Sequence, residues 1–131
     1  IDNSEHNSNL YCMASNMNPG IAELCSEIII DNINDPKLIV EYAKHSKASL
    51  AIIGPENPLS VGVSDALWDA KIKVVGPKRS LAQIETSKAF TRDLFKEYKI
   101  RGQPQYQTFN SLDGVIDFLN VLGKDITNTS L

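Results

Sequence analysis

The chain reads as an α/β layer fold built on a parallel sheet, and three observations carry that reading. Leu50-Ala51-Ile52-Ile53 is an uncharged apolar run that stops at Gly54-Pro55, and Val74-Val75 stops in the same way at Gly76-Pro77. Short apolar runs closed by turn residues are the pattern of buried strands. Between them Asn57 can cap a helix, Pro58 suits its first position, and Val63, Ala66, Leu67 and Ala70 share one face. Two strands joined by such a helix close as a right-handed βαβ unit with parallel strands. The same alternation of strand and helix runs from residue 9 to residue 77, which extends the unit to a layer.

Taken in order, Asn9 to Ala14 predicts a buried strand, and Ser15 to Gly20 a turn-rich loop behind it. Ile21 to Cys25 fits one helical turn. Glu27 to Ile30 is a β-branched run that fits an edge or extended segment leading into Asp31-Asn32. Asp35-Pro36 then opens a helix with Leu38, Ile39, Tyr42 and Ala43 in one stripe. Beyond the central βαβ unit, Lys78 to Ala82 fits a single turn. A longer helix follows from about Thr86 to Lys99, with Phe90, Leu94 and Tyr98 on one face. Ile100 to Pro104 is a break, and Tyr106 to Phe109 alternates as a half-exposed strand does. Ser111 is placed to cap the last helix, where Val115, Phe118, Leu119 and Leu122 recur at helical spacing before Gly123 ends it. The start of a further strand is expected where the sequence runs into Asp125 to Leu131. The change of rhythm after the second Gly-Pro puts a domain boundary near Glu85.

At 131 residues, with 42% hydrophobic and 22% charged residues, the composition is that of a globular domain with a real core. A net charge of −3 and a pI near 5.3 give no basic face for nucleic acid. No apolar run is long enough to span a membrane, and no secretory signal is visible, so a cytoplasmic protein is expected. Cys12 and Cys25 lie far apart in sequence, with no CxxC and no nearby Cys/His cluster. They read as buried thiols in a reducing cytosol and not as a zinc site. Asn128-Thr129-Ser130 matches a glycosylation acceptor, which carries little weight without a secretory route.

The chemistry concentrates on the sheet's carboxyl edge, where the loops after parallel strands converge. Neither GxGxxG, GxxxxGK[ST] nor GxSxG occurs, and no nucleophile partners His6 or His45. Asn16, Asn18 and Gly20 make a loop whose amides suit a phosphate or a ribose, although Asn-Pro-Gly is also a common turn. Glu56, directly behind Gly54-Pro55, can meet a cationic or hydroxyl-bearing group, or it can simply charge the start of a helix. Lys88, one turn into its helix, can reach a nucleotide phosphate or stand in solvent. No catalytic residue and no metal ligand emerges.

Together the stretches Ala14-Ser15-Asn16-Met17-Asn18-Pro19-Gly20-Ile21, Ile53-Gly54-Pro55-Glu56-Asn57-Pro58-Leu59, Val75-Gly76-Pro77 and Glu85-Thr86-Ser87-Lys88-Ala89-Phe90 resemble the phosphoribosylamine–glycine ligase family, the glycinamide ribonucleotide synthetases of the ATP-grasp superfamily. The resemblance spans residues 9 to 126 in order. It implies a Rossmann-like substrate-binding domain over residues 1–84, then a connecting helix and the first elements of an ATP-grasp domain over residues 85–131. The implied reaction belongs to cytosolic purine synthesis. ATP, with magnesium or manganese, phosphorylates glycine, and the amine of 5-phosphoribosylamine attacks the acyl phosphate to give glycinamide ribonucleotide. By the same resemblance Asn18, Pro19 and Gly20, with Gly54, Pro55, Glu56, Asn57, Pro58 and Leu59, line the substrate pocket, and Lys88 stands at the nucleotide domain. The chain departs from the family at both ends. The family's opening strand and Gly-rich loop are missing, residues 1–9 match only a helix tail and loop, and Thr127 to Leu131 leaves the pattern. A partial enzyme, inactive alone, is therefore the expectation. The rival readings are a stand-alone nucleotide- or sugar-phosphate-binding module and another ATP-grasp carboxylate–amine ligase.

Overall fold

The computed structural model describes residue 5 and residues 8–128, and its contacts divide the chain into two compact units, Ile1–Thr86 and Ser87–Leu131. His6, Thr129 and Ser130 lie outside the described residues, as does most of the leader read as a helix tail.

The first unit opens with β1 (Tyr11–Ala14), the short helix α1 (Pro19–Ala22) and β2 (Glu27–Ile30). Tyr11 to Ala14 run parallel to Glu27 to Ile30, in register Tyr11 to Glu27, so the extended segment is a true strand. Helix α2 (Pro36–His45) starts where Asp35 accepts hydrogen bonds from the amides of Lys37, at 2.9 Å, and Leu38, at 3.3 Å. Those two donors have no partner inside the helix, which is why an aspartate at the cap stabilises it. Next come β3 (Leu50–Ile52), α3 (Glu56–Ser60), α4 (Val63–Asp69), β4 (Lys73–Val75) and α5 (Arg79–Thr86). β3 and β4 pair in parallel, as the βαβ reading requires.

The core of this unit is the buried cluster Ala43, Val63, Leu67 and Ile72, with Ile39, Val40, Ala48, Ala51, Ile53, Ala70 and Val74 packed against it. Val63 and Leu67 are fully enclosed. Burying a side chain of that size stabilises a fold by roughly 1.5–3 kcal/mol relative to exposure. Of the apolar stripes read on α2 and on the central helix, Ile39 and Ala43 meet Val63, Leu67 and Ala70 here, while Leu38, Tyr42 and Ala66 stand outside the cluster.

Several expectations need correction. Among the described residues the strands form two separate two-stranded parallel sheets, β1–β2 and β3–β4, and not one continuous sheet. They are also less buried than an apolar run suggests: Leu50, Ile52 and Val75 are 51%, 54% and 55% exposed. Alternate strand residues point to opposite faces, and only the face of Ala51 and Val74 meets the core cluster. The central helix is two helices, broken at Gly62, which takes a left-handed backbone at φ 88°. Asn57 is not a cap, since α3 begins at Glu56 behind Pro55, whose side chain makes no capping bond. Pro58 falls inside the first turn, where the missing N–H costs nothing. The single turn at Lys78 to Ala82 is an eight-residue helix, α5. Its start is held from a distance: the Arg79 amide donates to the Asp65 carboxylate at 2.7 Å, and Ala82 is buried.

In the second unit α6 (Lys88–Glu97) is capped by Ser87, whose hydroxyl accepts from the Phe90 amide at 3.3 Å. Leu94 is half-buried on the expected face, but Tyr98 is 67% exposed and lies just past the helix. Tyr106 to Phe109 forms no strand, because among the described residues nothing pairs with it. It is held by side chains instead. The Tyr106 hydroxyl donates to Asp93 at 2.7 Å, and Phe109 meets Phe118 edge-on at 5.9 Å. The last helix, α7 (Val115–Asn128), runs through Gly123 and Ile126, so neither the stop nor the extra strand is present. Ser111 does not cap it; its hydroxyl accepts from the Asp113 amide at 3.2 Å and shapes the turn before Gly114. Among the described residues no helix is long and apolar enough to cross a membrane.

Candidate functional site

The loops singled out in the sequence all leave the carboxyl ends of strands. Behind β1, residues 15–20 are exposed. Asn16 donates through Nδ2 to the Ser15 hydroxyl at 3.2 Å. Asn18 caps α1, its Oδ1 accepting from the Ile21 amide at 3.2 Å, and Pro19 takes the first helical position. Capping commits the amide oxygen of Asn18 but not its Nδ2 donors. At four residues α1 is too short to gather much of a helix dipole, so what this loop can offer is side-chain amides and loop backbone.

Because β2 runs parallel to β1, its carboxyl end lies beside this loop: the Asp31 amide donates to the Ala14 carbonyl at 3.0 Å. Asp31 accepts from the Asn32 amide at 2.7 Å, and Asn32 from the Asn34 amide at 3.0 Å. Asp31 and Asn32 are thus further polar residues at the same edge. The sequence reading treated them as the end of an extended segment; seeing that segment as a parallel partner of β1 would have found them.

On the other pair, Gly54 and Gly76 leave adjacent strands, and the Ile53 amide donates to the Val75 carbonyl at 3.1 Å. The two glycines differ. A Cβ on Gly54 would meet no atom within 4 Å. One on Gly76 would lie 3.0 Å from the Ser64 hydroxyl, 3.2 Å from Leu59 and 3.4 Å from Ile53. Gly54 therefore borders open space that a ligand can enter, whereas Gly76 serves close packing. Pro55, Glu56 and Asn57 are exposed, while Pro58 and Leu59 are buried, so those last two support the loop from beneath instead of facing a ligand. Glu56 stands in the first turn of α3, the placement that the plain helix-charging role requires. Lys88, exposed at the first position of α6, belongs to the second unit. His45 is exposed in the last turn of α2, a favourable place for a basic group near the helix's negative end and no part of either loop.

Both cysteines are free and half-buried, not fully buried. Burial, and then the nearness of Cys25, pushes the Cys12 thiol up from its ordinary range. Tyr42 of α2 completes the group. Burial, then the nearby Glu27 carboxylate, pushes its phenol up to about 12, and its hydroxyl lies 3.4 Å from the Cys12 carbonyl.

Residues 1–85 match the family described as phosphoribosylglycinamide synthetase, N domain. The chain belongs to that family. The match to this N domain takes in every strand of the first compact unit. Similarity to whole relatives extends further. A phosphoribosylamine–glycine ligase of Methanosarcina barkeri is 45% identical over 123 residues, 94% of this chain and 28% of that protein. One from Methanococcus maripaludis is 47% identical over 121 residues, 89% of this chain and 27% of that protein. One from Methanocaldococcus jannaschii is 45% identical over 118 residues. The chain thus spans little more than a quarter of the relatives' length, and within it the N domain carries the strand-end loops described above.

Proposed function

We propose that this chain is the amino-terminal part of a phosphoribosylamine–glycine ligase, which uses ATP to join glycine to 5-phosphoribosylamine through a glycyl phosphate in cytoplasmic purine synthesis. The observation that carries the reading is the continuity of the likeness: the N-domain match covers the first unit, and 45% identity to a ligase runs on across 94% of the chain. The loop chemistry agrees with it. Asn16, Asn18 and Gly20 offer amides to a phosphate or ribose, with Pro19 shaping the loop between them, and Gly54 to Asn57 offer open backbone and one carboxylate to its hydroxyls or amine. The second unit is then the entry to an ATP-grasp domain, with Lys88 directed to nucleotide phosphate. ATP with magnesium or manganese supplies the phosphoryl group. Among the described residues no three His, Cys, Asp or Glu side chains gather as a metal site, so no step is assigned to metal ligands of this chain. What these residues do is bind and orient the amine substrate.

The test is ADP release that depends on both glycine and phosphoribosylamine, measured on this chain and on a version extended to the relatives' full length. Activity confined to the extended form is the expected result. No activity in either form, with a sugar phosphate still bound, would move the answer to a binding module.

A further inference from the structure

The loop behind β1 has donors for a ligand but no charged acceptor. Residues 15–20, Ser-Asn-Met-Asn-Pro-Gly, carry no carboxylate, and the side-chain oxygen of Asn18 is spent capping α1. A sugar phosphate asks for both kinds of group: donors for its phosphate oxygens and acceptors for its hydroxyls. The parallel pairing of β1 and β2 brings an acceptor in. Ala14 stands in register with Ile30, so the first residue past β2 comes up beside the first residue of the loop, and the Asp31 amide donates to the Ala14 carbonyl at 3.0 Å. Asp31 is exposed there. One of its oxygens accepts from the Asn32 amide at 2.7 Å, which holds the carboxylate at the strand end. A carboxylate offers about four lone-pair sites. Among the described residues no cation pairs with Asp31, and its second oxygen accepts nothing. Its polar neighbours are already engaged: the Asn32 side-chain oxygen accepts from the Asn34 amide at 3.0 Å, and Asp35 caps α2.

We propose that Asp31 is a specificity-determining residue of the substrate site, its carboxylate accepting hydrogen bonds from the ribose hydroxyls of the amine substrate and so selecting ribose over 2-deoxyribose. This rests on the ligase reading and adds a residue to it. Two neighbouring hydroxyls match the two oxygens of one carboxylate, and bonds to an ionised acceptor are the strong ones. The same negative charge repels phosphate. It therefore sets the direction of the ligand, with the sugar hydroxyls towards the end of β2 and the phosphate towards the later loop residues Asn18 and Gly20.

The experiment uses the version extended to the relatives' full length, unaltered and as Asp31→Ala and Asp31→Asn. Ribose 5-phosphate and 2-deoxyribose 5-phosphate are compared as competitors of phosphoribosylamine in the ADP-release assay. The unaltered enzyme should favour ribose 5-phosphate by about tenfold or more, the scale of a hydrogen bond to a charged group. Asp31→Ala should lose that preference and raise the KM for phosphoribosylamine by a similar factor, with the KM values for glycine and ATP unchanged. Asp31→Asn keeps an acceptor for the Asn32 amide, and hence the turn, but not the charge. Its preference should be intermediate, and it decides the matter if Asp31→Ala does not fold. A variant that favours ribose 5-phosphate as strongly as the unaltered enzyme, or whose KM for glycine rises in step, would overturn the proposal. Failure of the ligase reading shows differently, as no ADP release from the unaltered full-length protein. Direct calorimetric binding of the two sugar phosphates then makes the same comparison, and equal binding by the unaltered protein and Asp31→Ala would overturn the role of Asp31 there too.

Discussion

Gly76 shows how much one atom decides at a strand end. Its missing Cβ leaves room for the Ser64 hydroxyl, itself fully buried and without a hydrogen-bond partner among the described residues. Gly76→Ala should therefore cost about 1–3 kcal/mol, as overpacking of a closed site does, read from urea unfolding. Ser64→Ala removes a buried hydroxyl that gains nothing from its position, so it should be neutral or stabilising. The double variant should recover part of the loss, since the nearest clash is gone; strictly additive effects would show that Leu59 and Ile53 set the cost. Tyr42 allows a test by pH. Its folded value is raised to about 12 from 10.0, so the folded state holds the proton more tightly. That stabilisation is complete below pH 10 and is lost as pH rises through 12. The stability difference between the native chain and Tyr42→Phe should shrink over that window, and a flat difference would mean that the Tyr42 surroundings do not favour the phenol. Residues of this kind are hardly legible in sequence. Gly-Pro reads the same at Gly54, which borders open space, and at Gly76, which is packed shut.

Among the elements, those encoded by local signals were legible and those held by distant partners were not. Asp35-Pro36 announces α2, and the apolar stripe from Val63 to Leu67 announces α4, because cap and periodicity are properties of the segment itself. Helix α5 was underestimated because its first amide is bonded by Asp65, a residue of another helix. Tyr106 to Phe109 erred the other way: its alternation is real, but a strand exists only where a neighbour completes the ladder. That residues 15–20 and 54–57 follow the carboxyl ends of strands was legible, but their meeting on the edge of one sheet was not borne out, since β1–β2 and β3–β4 are separate; Asp31 and Asn32 needed the β1–β2 pairing to come into view. The Asp65 contact makes the rule testable. Asp65→Ala should cost about 1 kcal/mol, the usual loss of a helix cap, with faster amide exchange confined to the start of α5. Asp65→Asn, which keeps the acceptor, should recover most of it. An unchanged exchange pattern in Asp65→Ala would mean that the buried Ala82 alone holds the helix.

At the scale of the whole chain the unusual feature is the division of the first unit's strands into β1–β2 and β3–β4. Every strand in a two-stranded sheet has one edge without a ladder partner, and parallel sheets are otherwise found covered and broad. Apolar side chains accompany these edges: Tyr11 and Ile30 on one pair, Leu50, Ile52 and Val75 on the other, all more than two-fifths exposed. Unpaired amides beside apolar surface are a template for another strand, and an isolated two-stranded pair contributes little stability by itself. The core of Val63, Leu67, Ile72 and Ala43 can hold β3 and β4 to the helices, but it does not reach the open edges. This chain by itself should therefore self-associate as its concentration rises, and its thermal unfolding should be broad. Sedimentation velocity over a concentration series measures the first and calorimetry the second. A monodisperse monomer with a sharp, cooperative transition would show that the open edges are satisfied within the chain itself. If association is seen, the version extended to the relatives' length separates two causes. Monomeric behaviour there would place the missing strand partner in sequence outside these residues, and persistent association would make the edge an interface between copies of the enzyme.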